Sequence, residues 1–494
     1  MYRTKPWRLF QLSGYGDPAD MNARLKFLLD AGETGIIVKH DRMTDDHLYD
    51  VDHVEIVERR EDVGLTGTVT VGQRDYETIM EGIPVESVYT KPGSGVVQSA
   101  PYTLSCYWTV AQRRGIALDR LAGTGQSDFF LTYLGCPTKE QIPPEAGLRF
   151  NLDLVDFCST YMPRWVPVSI AGYNGADTGL NAWQELGAVF ANAVEYLDAV
   201  EAKDSIDIDL FARKIGGVNF RTSMDLFEDA AKLRTARKMW HDLLTRRYGV
   251  TDPRALALRI HVVTAGSYMT YQEPINNIVR GTVMAMAAAL GGTQSLGVSG
   301  YDEAISIPSD HAHLMSIRIQ QILQEEVGLT EVADPLAGSY YVESLCSDLE
   351  ERAWGFFQEI DSQGGFLATI SNGWMLSQAE DSQSAFFSEV ESGSRRIVGV
   401  NAHTIEDPLH QVDGFVGKSG ADAWEAAMER LSELRRTRDG TSAVSALKAL
   451  ERTCRSDNNI VPAVLDAVQA DASIGEIGSI FRDVFGVWDA PFRF

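Results

Sequence analysis

Short apolar runs alternate with longer segments of helical periodicity along most of the chain. The clearest unit spans Arg259–Pro308. Within it, the β-branched run Ile260–Val263 predicts a strand, and Ile275–Leu290 predicts a helix packed on more than one side. A pair of glycines ends that helix before a second extended segment, Thr293–Leu296. A strand, a helix and a further strand in this order form the unit from which parallel barrels are built.

The same alternation recurs on both sides of this unit. Further predicted strands are Gly35–Val38, Leu65–Val71, Val166–Ala171 and Ile215–Phe220, and further predicted helices are Asp17–Leu29, Ser99–Arg113, Trp183–Leu197 and Met224–Tyr248, with a loop and helix in Asp302–Val327. Leu121–Gln126 predicts a strand end with a glycine-rich turn. It is not a dinucleotide fingerprint, because Asp128 stands where the third glycine would be.

The pattern changes after about Val400, where charged amphipathic helices follow one another without strands. They are predicted within Ala421–Asp439, Ser442–Cys454 and Val461–Phe485. The predicted fold is therefore α/β: a (β/α)8 TIM barrel over residues 1–400, followed by a C-terminal helical extension over residues 401–494.

Composition narrows the classes of function. The 494 residues include 44 Lys and Arg against 69 Asp and Glu, a net charge of −25. This balance disfavours nucleic acid or an anionic membrane as partner and leaves room for a local basic pocket. The five scattered cysteines, the absence of an apolar signal core and the absence of a long apolar run predict a cytoplasmic protein without disulfides.

Polar residues directly after a barrel strand lie at the mouth where barrel enzymes carry out chemistry. Lys39 and His40 follow the strand Gly35–Val38, so His40 has the best position among nine histidines for acid–base work. His261 lies within a strand and suits either the core or an active site. Glu303 is either a mouth carboxylate or a helix-start residue. No P-loop, serine nucleophile elbow, HExxH or other metal-binding spacing is present in the sequence.

A series of short phrases, in order over nearly the whole chain, resembles the large chain of the adenosylcobalamin-dependent acyl-CoA mutases, the methylmalonyl-CoA mutase family. The phrases include Lys5-Pro6-Trp7, Leu121-Ala122-Gly123-Thr124 with Gln126, Met162-Pro163 with Trp165, Ala231-Lys232-Leu233-Arg234, Gly292-Thr293-Gln294-Ser295-Leu296 and Asp334-Pro335-Leu336.

The resemblance implies a barrel in which an acyl-CoA threads along the axis and cobalamin covers the mouth. The implied reaction is a radical 1,2-rearrangement of the acyl carbon skeleton. The cofactor supplies the radical, and the protein excludes water and aligns the acyl group. The DxHxxG motif of the family's cobalamin-binding domain is absent from the sequence. We therefore expect a separate small cobalamin-binding subunit, in a heterotetramer or another hetero-oligomer.

Site residues transfer position by position from the resemblance. The expected catalytic residues are Tyr173, Asn174, Lys39 and His40; the expected substrate- and CoA-binding residues are Lys5, Leu12, Thr124, Gln126, Cys136, Arg213 and His261; and Gly14 and Glu303 are expected on the cofactor side. No metal-binding residue is predicted.

Three positions depart from the methylmalonyl enzyme. Leu12 replaces a tyrosine that lies over the substrate, and Asn174 replaces a histidine that hydrogen-bonds the thioester carbonyl. The arginine that clamps the methylmalonyl carboxylate falls at Cys136 or Pro137. Its absence removes a bidentate interaction worth about 3–5 kcal/mol in a dry site. Methylmalonyl-CoA is therefore not the expected substrate.

Lys39 occupies a position that is small and uncharged in the methylmalonyl enzyme. It either binds a substrate carboxylate or hydroxyl or pairs with Asp41 or Asp45. The expected substrate is accordingly a bulky aryl- or alkyl-succinyl-CoA or a 2-hydroxyacyl-CoA. The alternative is a catalytically inactive mutase-like barrel that serves as a binding or assembly partner.

Overall fold

The computed structural model describes residues 2–93, 95–135, 140–202, 207–405, 412, 414–415, 417–488 and 490. The strands in this part of the chain are short, and every pairing between them is parallel. They are β1 (Arg8–Leu9), β2 (Leu12–Ser13), β3 (Gly35–Val38), β4 (Tyr89–Lys91), β5 (Gly123–Thr124), β6 (Trp165–Val166), β7 (Gly217–Thr222), β8 (Arg259–Thr264) and β9 (Ser295–Gly297).

The strands form two sheets that meet on both sides. One sheet has the order β1-β9-β8-β7 and the other the order β2-β3-β4-β5-β6. Because β1 and β2 lie two residues apart on one extended segment, that segment pairs with β9 through its first half and with β3 through its second. On the opposite side, Ile170 forms a parallel bridge with Val218 of β7. This arrangement is consistent with the predicted (β/α)8 barrel.

Helices follow most strands and cover the outside of the sheets. They are α1 (Pro18–Asp30), α2 (Val54–Glu58), α3 (Gln73–Ile79), α4 (Ala100–Arg113), α5 (Pro144–Tyr161), α6 (Gly172–Thr178), α7 (Ala182–Glu201), α8 (Ile208–Ile215), α9 (Leu226–Arg247), α10 (Pro253–Leu256), α11 (Asn276–Leu290), α12 (Asp310–Glu325), α13 (Tyr340–Ser362), α14 (Phe366–Ser371), α15 (Trp374–Glu391), α16 (Gly420–Thr437), α17 (Gly440–Cys454), α18 (Val461–Gln469) and α19 (Ile474–Phe485). Within the described residues, no helix is long and apolar enough to cross a membrane.

Local sequence explains where several helices begin. Asp17 caps α1 by accepting hydrogen bonds from the backbone N–H groups of Ala19 and Asp20, and Asn181 caps α7 with Gln184 in the same reciprocal pattern. Two π-helical segments, Arg42–Asp46 and Phe130–Gly135, follow shortly after β3 and β5. Such segments are rare and often occur at functional sites.

The C-terminal helices pack on the strand-and-helix body. Asp50 joins the two parts: its carboxylate accepts hydrogen bonds from Ser473 Oγ at 2.7 Å and the backbone N–H of Gly475 at 2.9 Å. Arg435 on α16 forms an ion pair with the same carboxylate at 2.8 Å. The predicted helices of this region are all present, and their buried residues contact the body rather than forming a separate core.

Some sequence-based assignments were wrong or missing. The strand predicted at Leu65–Val71 does not form; Thr68 alone makes an isolated bridge with His40. The short β1, β2 and β4 were not predicted, because two or three residues cannot show a periodicity. The helices that were not predicted are α5, the outer helices α13, α14 and α15, and the short helices α2, α3, α6, α8 and α10.

Candidate active site

The space inside the ring of strands forms two adjoining cavities. The larger, which we call the chamber, has a volume of about 440 Å³ and is lined by the C-terminal ends of the strands and the loops after them. The smaller, which we call the passage, has a volume of about 160 Å³ and is lined largely by the first residues of the strands. Both are lined by Phe10, Ile37, Lys91, Gln126, Asn219 and His261. The cavities therefore meet at mid-strand and run along the strand direction.

Most of the predicted site residues come together here. The chamber lining includes Leu12, Gly14, Lys39, Gln126, Tyr173, Asn174, His261 and Glu303. Thr124 lines the passage. Lys5, Arg213 and His40 are absent from both linings. Arg213 nevertheless accepts a hydrogen bond through its carbonyl oxygen from Arg259 of the passage, and Lys5 lies within electrostatic range of Arg8 of the passage. Cys136 and Pro137 lie outside the described residues.

Tyr173 and Asn174 project from the first turn of α6. The Tyr173 hydroxyl donates a hydrogen bond to Asp177 Oδ2 at 3.1 Å. Burial, together with the carboxylates of Asp177 and Glu303, holds the pKa of Tyr173 well above its usual range, so the phenol stays protonated. The Oδ1 atom of Asn174 is buried and has no hydrogen-bond partner among the described residues. This amide can therefore bind a ligand in the chamber.

Lys39 and Asp46 form a charged pair at the chamber wall. Lys39 Nζ lies 3.7 Å from Asp46 Oδ2, and the Lys39 side chain is 24% exposed while that of Asp46 is 1% exposed. Both residues line the chamber. The pairing that the sequence left open, with Asp41 or Asp45, is thus made with Asp46 instead. Asp41 caps the π-helical segment through the backbone N–H of Thr44 at 3.0 Å.

His40 faces away from the chamber and is fully buried. Its Nε2 lies 3.1 Å from the carbonyl oxygen of Pro92 and 3.1 Å from the Tyr76 hydroxyl, and its ring stacks on Tyr76. Burial lowers the pKa of His40 to about 4, so the imidazole is neutral near pH 7. In this position His40 supports the segment that carries Lys39 and does not reach a ligand in the chamber.

Lys91, which is not among the residues predicted from the sequence, is the last residue of β4 and is buried. In the parallel register it lies beside Ile37 of β3, and its Nζ donates a hydrogen bond to Gln126 Oε1. No periodic signal in the sequence marks it, because β4 has only three residues.

The outer end of the passage is cationic. Arg8 lines it and places its guanidinium 4.2 Å from the ring centre of Tyr89. The positive charge of Arg8, with partial burial and the charge of Arg164, lowers the pKa of the exposed Lys5. Arg8 and Arg164 therefore both lie within electrostatic range of Lys5.

Two further arginines extend this cationic end. Arg259 lines the passage and donates a hydrogen bond to the carbonyl oxygen of Arg213. The Arg213 guanidinium lies 3.6 Å from Asp252 and is partly exposed. In a chain with a net charge of −25, this cluster is the local basic pocket that the composition left possible. It suits the phosphate groups of a nucleotide.

Glu303 lies at the chamber end, in the loop after β9. Desolvation by the surrounding protein and the nearby carboxylates of Asp302 and Asp177 raise the pKa of Glu303 to about 7. The side chain is nevertheless in contact with solvent. Gly14 also lines the chamber, with its backbone atoms. A Cβ atom at Gly14 would lie 2.0 Å from the carbonyl oxygen of Lys39, so no side chain fits there.

A larger cavity of about 600 Å³ lies on the outer surface, between α9, α13 and residues 329–335. Its charged groups neutralise one another: Arg234 pairs with Asp334 at 3.1 Å and with Glu343 at 2.9 Å. It has no connection to the strand ends, so the chamber and passage are the candidate site.

Comparisons with known proteins identify relatives of this chain. A family model described as methylmalonyl-CoA mutase matches residues 1–487. The methylmalonyl-CoA mutase of Cereibacter sphaeroides is 35% identical over 490 residues, which are 98% of this chain and 67% of that protein. The methylmalonyl-CoA mutase of Escherichia coli is 33% identical, over 99% of this chain and 67% of that protein.

A third relative carries a different substrate in its name. The 2-hydroxyisobutanoyl-CoA mutase large subunit of Aquincola tertiaricarbonis is 30% identical over 495 residues, which are 99% of this chain and 85% of that protein. The match of the family model over nearly every residue, together with these relatives, leads to one conclusion. The chain belongs to the methylmalonyl-CoA mutase family of isomerases.

Proposed function

We propose that the protein is the large subunit of a two-component, adenosylcobalamin-dependent acyl-CoA mutase that rearranges the carbon skeleton of an atypical acyl-CoA. The observation that carries this proposal is the continuity of the passage and the chamber. The passage leads from the cationic cluster around Arg8 and Arg259 into a chamber that ends at Glu303. An acyl-CoA has the matching shape and charge, with phosphates at one end, a narrow arm in the middle and an acyl group at the other end.

The chamber favours an acyl group that carries a hydroxyl. Lys39 can donate a hydrogen bond to a hydroxyl and Asp46 can accept one, and the two groups lie 3.7 Å apart. A carboxylate would gain from Lys39 but would be repelled by Asp46. A 2-hydroxyacyl-CoA is therefore our preferred substrate class, and the name of the Aquincola tertiaricarbonis relative supports it. An aryl- or alkyl-succinyl-CoA is the second candidate, since Leu12 presents an apolar side chain at the chamber wall.

Methylmalonyl-CoA fits this chain less well than either class. Leu12, in a position that is a tyrosine in the methylmalonyl enzyme, offers no hydroxyl. The position of the carboxylate-clamping arginine falls at Cys136 or Pro137, neither of which can form a bidentate pair.

We further propose that adenosylcobalamin covers the chamber end and is bound mainly by a separate small subunit. When bound, the cofactor supplies the radical that removes a hydrogen atom from the substrate. Glu303 fits the adenosyl group, because its carboxylate is open to the chamber and no described cation pairs with it. Carboxylate oxygens accept hydrogen bonds from sugar hydroxyls. The name of the Aquincola tertiaricarbonis relative, a large subunit, supports a partner chain, in a heterotetramer or another hetero-oligomer.

The residues of this chain act by holding and shielding the acyl group. Lys39 and Asp46 fix its polar substituent, and Tyr173 and Asn174 line the same chamber. The Tyr173 phenol stays protonated and held by Asp177, so it presents a fixed ring beside the reacting carbon atoms. The acyl-CoA fills the passage and thereby excludes water, which protects a radical from side reactions.

The test combines this chain with its small subunit and adenosylcobalamin without oxygen, and adds 2-hydroxyacyl-, alkylsuccinyl- and methylmalonyl-CoA in turn. A substrate-dependent change in the visible spectrum of the cobalamin, with a rearranged product in the mass spectrum of the 2-hydroxyacyl sample, is the expected result. Turnover of methylmalonyl-CoA alone would contradict the substrate proposal. Assembly of both subunits without any spectral change or product would support the inactive-scaffold alternative.

A further inference from the structure

Lys91 has a position in the cavity system that the proposed function does not yet use. It lines both the passage and the chamber, as do Phe10, Ile37, Gln126, Asn219 and His261. These residues mark the junction of the two cavities. In an acyl-CoA that occupies both, the narrow arm lies in the passage and the acyl group lies in the chamber, so the thioester that joins them lies at the junction.

Among these junction residues, Lys91 alone carries a charge. Phe10 and Ile37 are apolar, and Gln126 and Asn219 are neutral amides. His261 is neutral because burial and the positive charge of Lys91 lower its pKa to about 3. Its Nδ1 lies 2.8 Å from Ser295 Oγ. The ammonium is thus the strongest hydrogen-bond donor at the junction.

Gln126 and the β4 backbone hold the ammonium in place. Lys91 Nζ donates to Gln126 Oε1, and the backbone of Lys91 is paired in register with Ile37 of β3. Because the amide oxygen accepts from the ammonium, it orients Lys91 without neutralising its charge. A buried cation held in this way is already placed for a ligand oxygen and needs little rearrangement on binding.

We propose that Lys91 donates a hydrogen bond to the thioester carbonyl oxygen of the bound acyl-CoA and is the specificity-determining group for the thioester. This inference rests on the proposed function. It also reassigns a role, since the sequence resemblance placed the thioester contact at position 174. Asn174 lines the chamber but not the passage, and therefore faces the acyl group. Lys39 likewise lines the chamber but not the passage, and in the proposed function it binds the polar substituent of the acyl group.

The test measures binding to the full chain in the absence of cobalamin, so that no turnover occurs. The probes are isobutyryl-CoA, which carries no carboxylate or hydroxyl on its acyl group, and its thioether analogue S-isobutyl-CoA, which lacks the carbonyl oxygen. In Lys91→Met we expect the affinity for the thioester to fall roughly 10- to 100-fold, the usual effect of losing a hydrogen bond to a charged group. The affinity for the thioether should change less than about threefold, because the thioether has no carbonyl oxygen to accept a hydrogen bond from Lys91.

Infrared spectroscopy of isobutyryl-CoA labelled with ¹³C at the carbonyl gives a second readout. Bound to the native chain, the carbonyl band should lie at lower frequency than in Lys91→Met, while Lys39→Met should leave the band where it is in the native chain. Lys91→Gln, which keeps an N–H donor, should retain part of the shift. This variant also tests the proposal if Lys91→Met folds poorly, which circular dichroism would reveal.

Two outcomes separate the inference from the function on which it rests. Equal loss of thioester and thioether affinity in Lys91→Met, or an unshifted carbonyl band in the native chain, would overturn the role of Lys91 and leave the acyl-CoA channel intact. Failure of the native chain to bind either probe would overturn the proposed function itself.

Discussion

Asp128 Oδ2 accepts a hydrogen bond from the backbone N–H of Ala171 at 3.1 Å, across 43 residues of sequence. The same oxygen accepts from the backbone N–H of Phe130 at 2.9 Å, and Oδ1 accepts from Asn192 Nδ2 at 2.9 Å. Ala171 is the residue before α6, which begins with the turn that carries Tyr173. The buried carboxylate therefore ties one π-helical segment to the turn that presents the candidate catalytic residues.

Asp128→Asn should lower the free energy of unfolding by about 2–4 kcal/mol, because an amide nitrogen would face backbone donors that need an acceptor. It should also reduce turnover by displacing Tyr173. Denaturant titration and steady-state rates check both effects. Asp119→Asn is the matched control: Asp119 is exposed, so a change within about 0.5 kcal/mol is expected there. A stability of Asp128→Asn equal to that of the control would contradict the positioning role.

Lys5→Gln should weaken acyl-CoA binding by up to about 1 kcal/mol, or roughly fivefold, because Lys5 is exposed and its attraction to phosphate is screened by solvent. The loss should shrink as the salt concentration rises. Binding of the corresponding acyl-pantetheine, which lacks the nucleotide, should not change. Titration calorimetry at two ionic strengths measures these effects.

Lys26→Gln on α1 serves as the control for Lys5, since it removes the same charge from an exposed position outside both cavity linings. Equal weakening in Lys5→Gln and Lys26→Gln would show that total charge, and not a phosphate site at Lys5, controls the affinity.

Lys39→Met should change the choice of acyl group. We expect kcat/KM for a 2-hydroxyacyl-CoA to fall roughly 10- to 100-fold, as a hydrogen bond to a charged group is lost. The value for the same acyl-CoA without the hydroxyl should stay within about threefold, since that substrate makes no such bond. Competition between the two substrates in one reaction measures the ratio directly. If Lys39→Met leaves turnover of both unchanged, Lys39 has no part in recognition.

The buried His40 should make the fold sensitive to acid. Its pKa is about 4 in the folded chain and lies near the ordinary 6.5 when the chain unfolds. Between these values the unfolded chain binds the extra proton, so His40 lowers the stability as the pH falls from 6.5 toward 4 and has no such effect above 6.5. The contribution to the slope is at most about 1.36 kcal/mol per pH unit.

Unfolding of the native chain, His40→Gln and His241→Gln at a series of pH values tests this linkage. Part of the slope below pH 6.5 should disappear in His40→Gln and persist in His241→Gln, because the His241 side chain is 56% exposed. Identical slopes in all three proteins would show that His40 does not stay neutral in the folded state.

Much of the site follows from the order of elements in the sequence. Parallel strands place their C-terminal ends on one side of the sheet, so polar residues after different strands converge there whatever their distance along the chain. This is why Lys39 and Glu303 could be predicted at the same end of the strands, and both line one chamber. Tyr173 and Asn174, which line it too, were predicted from the family resemblance. The family resemblance added Lys5 and Arg213, which no local pattern distinguishes from other surface cations.

The direction of each side chain at the strand ends depends on the two-residue alternation of the strand. Successive residues of a strand point to opposite faces, and in β3 and the residues after it Ile37 and Lys39 point into the ring while Val38 and His40 point outward. Position after the strand favoured His40, but the two-residue period places it behind the wall against Tyr76. The alternation was present in the sequence, but which of the two alternating sets of residues faces the cavity was decided only by the packing of the strands.

Lys91 and the partner of Lys39 depended on tertiary structure alone. The three-residue β4 carries no periodicity, and its lysine reaches the cavity junction because β3 and β5 hold it between them. Lys39 pairs with Asp46 and not with Asp41, since the π-helical turn uses Asp41 as its cap and brings Asp46 to the chamber wall.

The sequence by itself determined the α/β class, the helical C-terminal region and which strand ends carry polar groups, because these depend on local periodicity and element order. The tertiary structure decided which of those groups meet, because their distances depend on register and on packing between segments far apart in the chain.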